Sequence, residues 1–341
     1  MIERELLADW LVRLCAVDTT TGRESAALPC LRDILMQLGA TIHEQPVGDG
    51  RSNVLATWAE PRILFSTHVD TVPPFIAPTR HEDTIRGRGS CDAKGQAVAQ
   101  LGAVRRLLAT GDDNVAWLGV VGEETDSDGA RAALALAPRL GACRAVINGE
   151  PTGLAIASGQ RGVLHLRLVC RGVAAHTSQP QRGRNALWML HDWLAALRRL
   201  PARRDDELGD ESWSLSRMRG GAAINVVPDH AEAELLARTV RESTFLQEVR
   251  AAAPAEAEIE VLLREPPAVF PAVEGFARRP MPYGSDAVTL RELVPDGLVV
   301  LAGPGDIERA HTDDEHLTVD ELIDGVALHE RLARRLLGAA P

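Results

Sequence analysis

The stretch RILFSTHVDTVPP, Arg62–Pro74, decides how the rest of the chain is read. Arg62–Thr67 has the look of a strand, and it runs straight into His68 before the prolines end it. His68 and Asp70 are two residues apart on an extended segment, so their side chains point to the same side. Four later places repeat the arrangement, with an acid or an imidazole at the end of an apolar run or at the start of a helix. They are Asp92 in GRGSCDAKG, Glu123 and Glu124 in VVGEETDSDGA, Glu150 in INGEPT, and His311 in AGPGDIERAHTDDEHL. An open α/β sheet presents its functional loops at such strand ends. Two imidazoles and at least four carboxylates, met one at a time, make a metal site the leading reading.

Working outward, the pattern is an α/β alternation. Residues 3–16 place Leu6, Leu7, Trp10, Leu11 and Leu14 at helical spacing, and 25–38 repeat it. Asn53–Trp58 reads as a strand. The segment after Asp92, AKGQAVAQLGAVRRLLAT, reads as a helix ending near Gly111. Val115–Val121 is a continuous apolar run, as expected of a strand covered on both faces, and Arg144–Ile147 is a short strand near Glu150. From about Gly159 the texture changes, because Val163–Cys170 alternates like a strand with one open face. A helix near Asn185–Leu200, strands around Ser212–Arg217 and Ala231–Thr239, a helix near Thr244–Ala253 and a strand near Glu256–Leu263 follow. Strand, helix, two strands, helix, strand is a ferredoxin-like arrangement. Pro266-Pro267 then marks a return, and the Pro/Gly-rich stretch to Gly284 contains little regular structure before Leu298–Leu301 and a last helix near Val319–Leu337. The expected fold is therefore α/β: a catalytic domain of 1–160 and 266–341 with a central mixed sheet, and an inserted α+β lid of 161–265.

Composition bounds the partners. A chain of 341 residues with 45% hydrophobic content can bury a large core. A net charge of −11 argues against a nucleic-acid partner, since no basic stripe is available to neutralise phosphates. Five scattered cysteines without C-x-x-C spacing suggest reduced thiols. The acids within MIERELLADWLVRLC leave no signal-peptide run, and no stretch is long enough for a membrane helix. The expectation is a cytoplasmic protein with no membrane partner.

Each candidate has an ordinary reading beside the chemical one. Asp70 suits the task of fixing the His68 tautomer, although both residues of such a pair can ligate. Asp92 precedes a helix, where an N-cap aspartate is common; the alternative is a carboxylate bridging two cations. Glu123 and Glu124 are adjacent acids, which repel unless a cation compensates them or one is protonated. A division of labour answers this, with one ligating and the other moving a proton. Gly149 and Pro151 bend the chain around Glu150, and small or rigid residues form a turn before His311.

Taken together, HVDTVPP, GRGSCDAKG, GEET, GEPT and GPGDIERAHTDDEHL resemble, in order, the signatures of the zinc-dependent amidohydrolases and metallopeptidases. That family includes acetylornithine deacetylase, succinyl-diaminopimelate desuccinylase, aminoacylase and glutamate carboxypeptidase, and the resemblance covers nearly the whole chain. It implies two divalent ions, Zn²⁺ with Co²⁺ or Mn²⁺ as substitutes. One would be held by His68, Asp92 and Glu150, the other by Asp92, Glu124 and His311, with Asp70 orienting His68 and Glu123 as general acid/base. AHTSQPQRGRNA resembles the family's lid segment, which implies that His176 reaches the substrate's developing oxyanion across a homodimer interface. Asn225 and Arg238 match positions that hold a substrate carboxylate, and Ser285 and Asp286 occupy a further substrate-facing position.

The closing signature looks most like acetylornithine deacetylase, so the expected reaction is deacetylation of N-acetyl-L-ornithine in arginine biosynthesis. Alternatives are deacylation of acetyl-lysine, acetylcitrulline or succinyl-diaminopimelate, and a dipeptidase or carboxypeptidase sharing every metal residue. A non-catalytic binding homologue would have lost Glu123 or a ligand, and none is lost. One departure stands out: EPPAVFPAVEGFARRPMPYGSDAV is too short and proline-rich for the helix that family members usually carry there.

Overall fold

A computed structural model describes residues 2–338. The chain groups into two compact units. One takes everything up to Ala157, Phe270–Arg279 and the chain from Ser285 on; the other takes Ser158–Val269 and Pro280–Gly284.

The first unit is built on a six-stranded mixed sheet with the strands in the order Thr41–Gly48, Arg51–Thr57, Val115–Val120, Ile63–His68, Ala145–Asn148, Leu298–Leu301. The first two pairings are antiparallel and the last three parallel. The central strands Val115–Val120 and Ile63–His68 are buried at every residue, which explains their unbroken apolar character. Helix Lys94–Ala109 is buried along most of its length. Its small residues let other helices approach closely: a methyl group on Gly102 would lie 2.6 Å from Val326 and 3.0 Å from Leu7. Those contacts come from helices Val319–Gly338 and Ile2–Cys15. Trp10, Leu11, Phe65, Trp117 and Leu322 share the resulting core.

Two local readings change. The helical pattern of 25–38 divides into a 3-10 turn, Glu24–Ala27, and an α-helix, Leu28–Gln37, with Pro29 in its first turn where a missing N–H costs nothing. Thr41–Gly48, which carries no apolar run, is a sheet-edge strand. Its half-exposed residues and Pro46 are tolerated because only one side is paired.

The second unit has the expected ferredoxin-like topology. Its antiparallel sheet runs Ser212–Gly220, His230–Thr239, Gly162–Arg171, Ala257–Glu265. Leu164, Leu166, Leu168 and Cys170 face helices Ala186–Leu197 and Phe245–Ala251 in one apolar cluster with Trp193 and Phe245. Trp193 Nε1 donates to the Val249 carbonyl at 3.0 Å, joining the two helices. On the other face the polar half of the alternation forms cross-strand pairs, His165 with Glu234 at 3.1 Å and Arg167 Nε with Glu232 at 3.0 Å. Between Glu265 and Asp286 only two short strands occur among the described residues, so this segment holds no helix. Nor is any described helix long and apolar enough to cross a membrane.

Candidate metal centre

Four loops and one helix start bring the predicted residues of the first unit together. His68 closes its strand and is buried; its Nε2 lies 3.0 Å from Asp92 Oδ1 and 4.0 Å from Glu150 Oε1. His311 Nε2 lies 3.0 Å from Glu124 Oε1 and 3.4 Å from Asp92 Oδ2. One donor atom each from His68, Asp92 and Glu124 fall within 4.8 Å of one another. Asp92 therefore stands between the two imidazoles, with one oxygen toward each. It does not cap the following helix: Lys94–Ala109 is preceded by Ala93, and no side chain accepts a capping bond there. Of the two readings of Asp92, the cap is excluded.

Asp70 has a more definite task than the sequence suggested. Its carboxylate accepts the backbone N–H groups of Glu123 at 3.2 Å and Glu124 at 3.1 Å, and the Thr21 hydroxyl at 2.9 Å. His68 Nδ1 sits 3.1 Å from the Asp70 main-chain carbonyl and 3.4 Å from its carboxylate. Asp70 thus fixes the imidazole mainly through its backbone and fixes the paired glutamates through its side chain.

The loop carrying those glutamates is anchored at both ends. Asn53 Oδ1 accepts from Val121 N at 3.2 Å, and Asn53 Nδ2 donates to the Gly129 carbonyl at 2.8 Å. Arg51 grips Asp128 just past the loop and reaches Glu24 at 3.4 Å. Gly122 is required: its φ is +76°, and an added methyl group would meet Asp128 Oδ1 at 2.1 Å. His311 itself has a left-handed backbone, φ +64°, a conformation that costs energy for a non-glycine residue and clusters at functional sites.

Charge is out of balance here. Burial works against protonation of His68, yet the carboxylates of Asp70 and Asp92, with Glu123 and Glu150 beyond, hold it well above its ordinary range. Its hydrogen bonds to Asp92 and then Glu124 push His311 up to about 10. Burial opposes ionisation of Asp92, but its bonds to His311 and His68 hold it below the usual carboxylate range. Burial drives Glu123 and Glu150 well upward, opposed by His68 and reinforced by neighbouring carboxylates. Two imidazoles face the five carboxyl groups of Asp70, Asp92, Glu123, Glu124 and Glu150, so the pocket is short of positive charge. Glu150 Oε1 is buried and accepts no hydrogen bond among the described residues. Buried oxygens in this state are uncommon unless a cation meets them. Hard carboxylate oxygens with two imidazoles form a donor set suited to divalent metal.

The remaining predicted residues are placed as follows. Asp286 is buried in the first unit, and its charge is felt at Glu123 and Glu150. Ser285 Oγ accepts from Ala287 N at 3.3 Å. His176, Asn225 and Arg238 belong to the second unit. There His176 is exposed, its Nδ1 accepts from Ser178 N at 3.1 Å, and Thr177 N donates to the Asn225 carbonyl at 3.2 Å. Arg238 lies on the strand His230–Thr239. Sequence reasoning missed Thr21, Arg51, Asn53, Arg88 and Glu315, which support the site from behind. Arg88 and Glu315 carried a signal, their places within two of the quoted signatures.

Fold and site define a metallohydrolase class, and comparison with known proteins specifies it. Residues 64–335 match the family described as Peptidase family M20/M25/M40, and the chain belongs to that family. A protein of Aspergillus fumigatus named "Probable carboxypeptidase" is 32% identical over 376 residues, covering 95% of this chain and 85% of its own. Among solved structures, aminopeptidase PepT of Bacillus cereus superposes with a TM-score of 0.77 at 21% identity, over 98% of this chain and 99% of that one. The YXEP protein of Bacillus subtilis, described as a dinuclear metal binding peptidase, gives 0.73 at 16% identity over 99% of each chain. These two likenesses establish the fold.

Proposed function

We propose that this chain is a two-cation exopeptidase, removing the C-terminal residue of a short peptide by hydrolysis of its amide bond. The observation that carries the reading is the convergence of His68, Asp92, Glu124, Glu150 and His311 around a pocket short of positive charge, with Glu123 beside it. His68, Asp92 and Glu150 would hold one ion, and Asp92, Glu124 and His311 the other. Zinc fits this donor set best, and Co²⁺ or Mn²⁺ can replace it because geometry rather than raw affinity selects among them. Metal held by these residues would supply Lewis acidity, bringing a water's pKa toward neutrality and polarising the scissile carbonyl.

The chain's own residues do the rest. Glu123, whose backbone is pinned by Asp70, takes a proton from the attacking water and returns it to the leaving amine nitrogen. Cations held beside it would oppose the upward push on its carboxyl and favour the ionised, basic form. Arg238, a planar fork of donors, and Asn225 would hold the free carboxylate of the departing residue. The edge strand Ser212–Gly220 is paired on one side only and exposes Leu215 and Met218. Such an edge is a surface for a second copy of the chain, and in the resulting homodimer His176 would serve the partner's site.

Deacetylation of N-acetylornithine becomes the second reading. The Aspergillus fumigatus relative at 32% identity is named a probable carboxypeptidase, whereas the run GPGDIERAH with DDEHL favours the deacetylase. A substrate panel separates the two. Acetylated dipeptides with a free C-terminus should be hydrolysed, while the same peptides amidated at the C-terminus should not. N-acetylornithine, N-acetyl-lysine, N-acetylcitrulline and N-succinyl-diaminopimelate complete the panel. Equal turnover of amidated and free peptides would refute carboxylate recognition. Turnover of N-acetylornithine alone would restore the deacetylase.

A further inference from the structure

Glu315 and Arg88 form a buried ion pair behind the metal centre. Glu315 is 1% exposed and Arg88 2%. A single oxygen of Glu315, Oε1, accepts three backbone N–H groups from one turn: Gly89 at 2.9 Å, Cys91 at 3.1 Å and Asp92 at 3.1 Å. Its other oxygen meets Arg88 Nη1 at 2.7 Å. Arg88 Nη1 also donates to the Thr312 carbonyl at 3.1 Å, and its Nε to the Pro74 carbonyl at 3.3 Å.

The placement of these bonds is informative. Glu315 lies four residues beyond His311, and its side chain grips the main chain of Asp92, which is 223 residues away in sequence. Arg88 closes the ring by holding the carbonyl of Thr312, the residue after His311. Converging backbone N–H groups form a concavity that binds an anion, and here the anion is a side chain of the other ligand-bearing loop. A buried ion pair is a poor source of stability, since apolar residues of similar volume often serve as well. Its effect here is geometric, joining two segments whose side chains must meet at one point.

We propose that Glu315, braced by Arg88, is a positioning residue: it sets the spacing between Asp92 and His311 and thereby the affinity of the cation position formed by Asp92, Glu124 and His311. The inference rests on the two-cation reading above. Outer partners of metal ligands typically change metal affinity by about 10–100-fold when removed. Glutamine at position 315 cannot reproduce the arrangement. If its carbonyl oxygen faces the three N–H groups, its amide N–H₂ meets the Arg88 guanidinium, donor against donor.

The test titrates chelator-stripped full-length protein with Co²⁺, following heat and the visible absorption of the bound ion. Wild type should take up two ions, and His311→Ala identifies one step by abolishing it. In Glu315→Gln that same step should weaken by roughly 10–100-fold, with its absorption bands altered, while the other step, which shares Asp92 but not His311, should weaken clearly less. The pair variant Arg88→Met with Glu315→Gln removes both charges together and avoids the donor clash, so it guards against simple misfolding. It should show a selective loss at the same step that is smaller, since glutamine can then still accept the three N–H groups while the Arg88 bond to the Thr312 carbonyl is gone. Equal weakening of both steps, or of neither, overturns the positioning role. Circular dichroism showing both variants unfolded overturns it too, because the pair would then serve fold stability alone. Fewer than two ions on wild type would instead refute the two-cation reading itself.

Discussion

Replacing His329 by leucine should make the protein more stable, and increasingly so as the pH falls. His329 lies on the helix Val319–Gly338, is fully buried, and stands edge-on to Phe65 with ring centroids 6.0 Å apart. Neither ring nitrogen has a hydrogen-bond partner among the described residues. Burial alone pushes its pKa down from 6.5 to about 3, so the native ring is neutral throughout the useful pH range. The unfolded chain binds a proton there below about 6.5 and the folded chain does not until about 3. The folded pKa is depressed, so the stability present above 6.5 is lost as pH falls toward 3. The slope is ~1.4 kcal/mol per pH unit, which amounts to about 2 kcal/mol between pH 7 and pH 5. At pH 7.5 the leucine variant should already gain about 1 kcal/mol or more by removing unsatisfied buried nitrogens. The assay is urea unfolding of both proteins from pH 7.5 to 5.0, with chelator present so that metal binding adds no pH dependence. Subtracting the curves cancels titrations that the two proteins share. A flat difference across this range, or a variant less stable at pH 7.5, would refute the reasoning.

The paired glutamates should separate by function. Glu123→Gln should keep both metals while kcat falls by roughly 10²–10⁴, whereas Glu124→Gln should lose one metal; like behaviour of the two, read by metal content and steady-state kinetics, would disprove the division of labour. Chains carrying His176→Ala and chains carrying Glu123→Gln should each be nearly inactive, yet recover partial activity when mixed under subunit exchange, because one site of the heterodimer keeps both residues. No recovery despite proven exchange would show that His176 does not act across an interface. Asn185 accepts the N–H groups of Leu187 at 3.0 Å and Trp188 at 3.3 Å at the start of helix Ala186–Leu197. Asn185→Ala should cost about 1 kcal/mol in denaturant unfolding, and no loss would mean that the cap is not worth its bonds.

The fold was legible where burial shaped the sequence. Ile63–His68 and Val115–Val120 announce themselves because both faces of a central strand must be apolar, and Val163–Cys170 because one face stays open. Thr41–Gly48 was not legible, since an edge strand with Pro46 has no such constraint on its side chains. At the site, His68, Asp92, Glu123, Glu124, Glu150 and His311 were visible because chemistry demands their residue types at strand ends. Their supports were not. Asn53 and Glu315 act through backbone groups 68 to 226 residues away, and Arg51 through the Asp128 carboxylate 77 residues on; a side chain bonded to so distant a partner leaves no local pattern. The cap reading of Asp92 shows the same limit, as only the geometry tells a helix-start aspartate from one turned inward to two histidines.

The central claim is that two divalent cations share Asp92 and that hydrolysis requires them. Elemental analysis of purified, active protein, paired with its rate on a free-carboxylate acyl dipeptide, tests this directly. The account predicts close to two divalent ions per chain, loss of activity on chelation with recovery on adding zinc, and loss of both metal and activity in Asp92→Ala. Full activity in a preparation without divalent metal would contradict it.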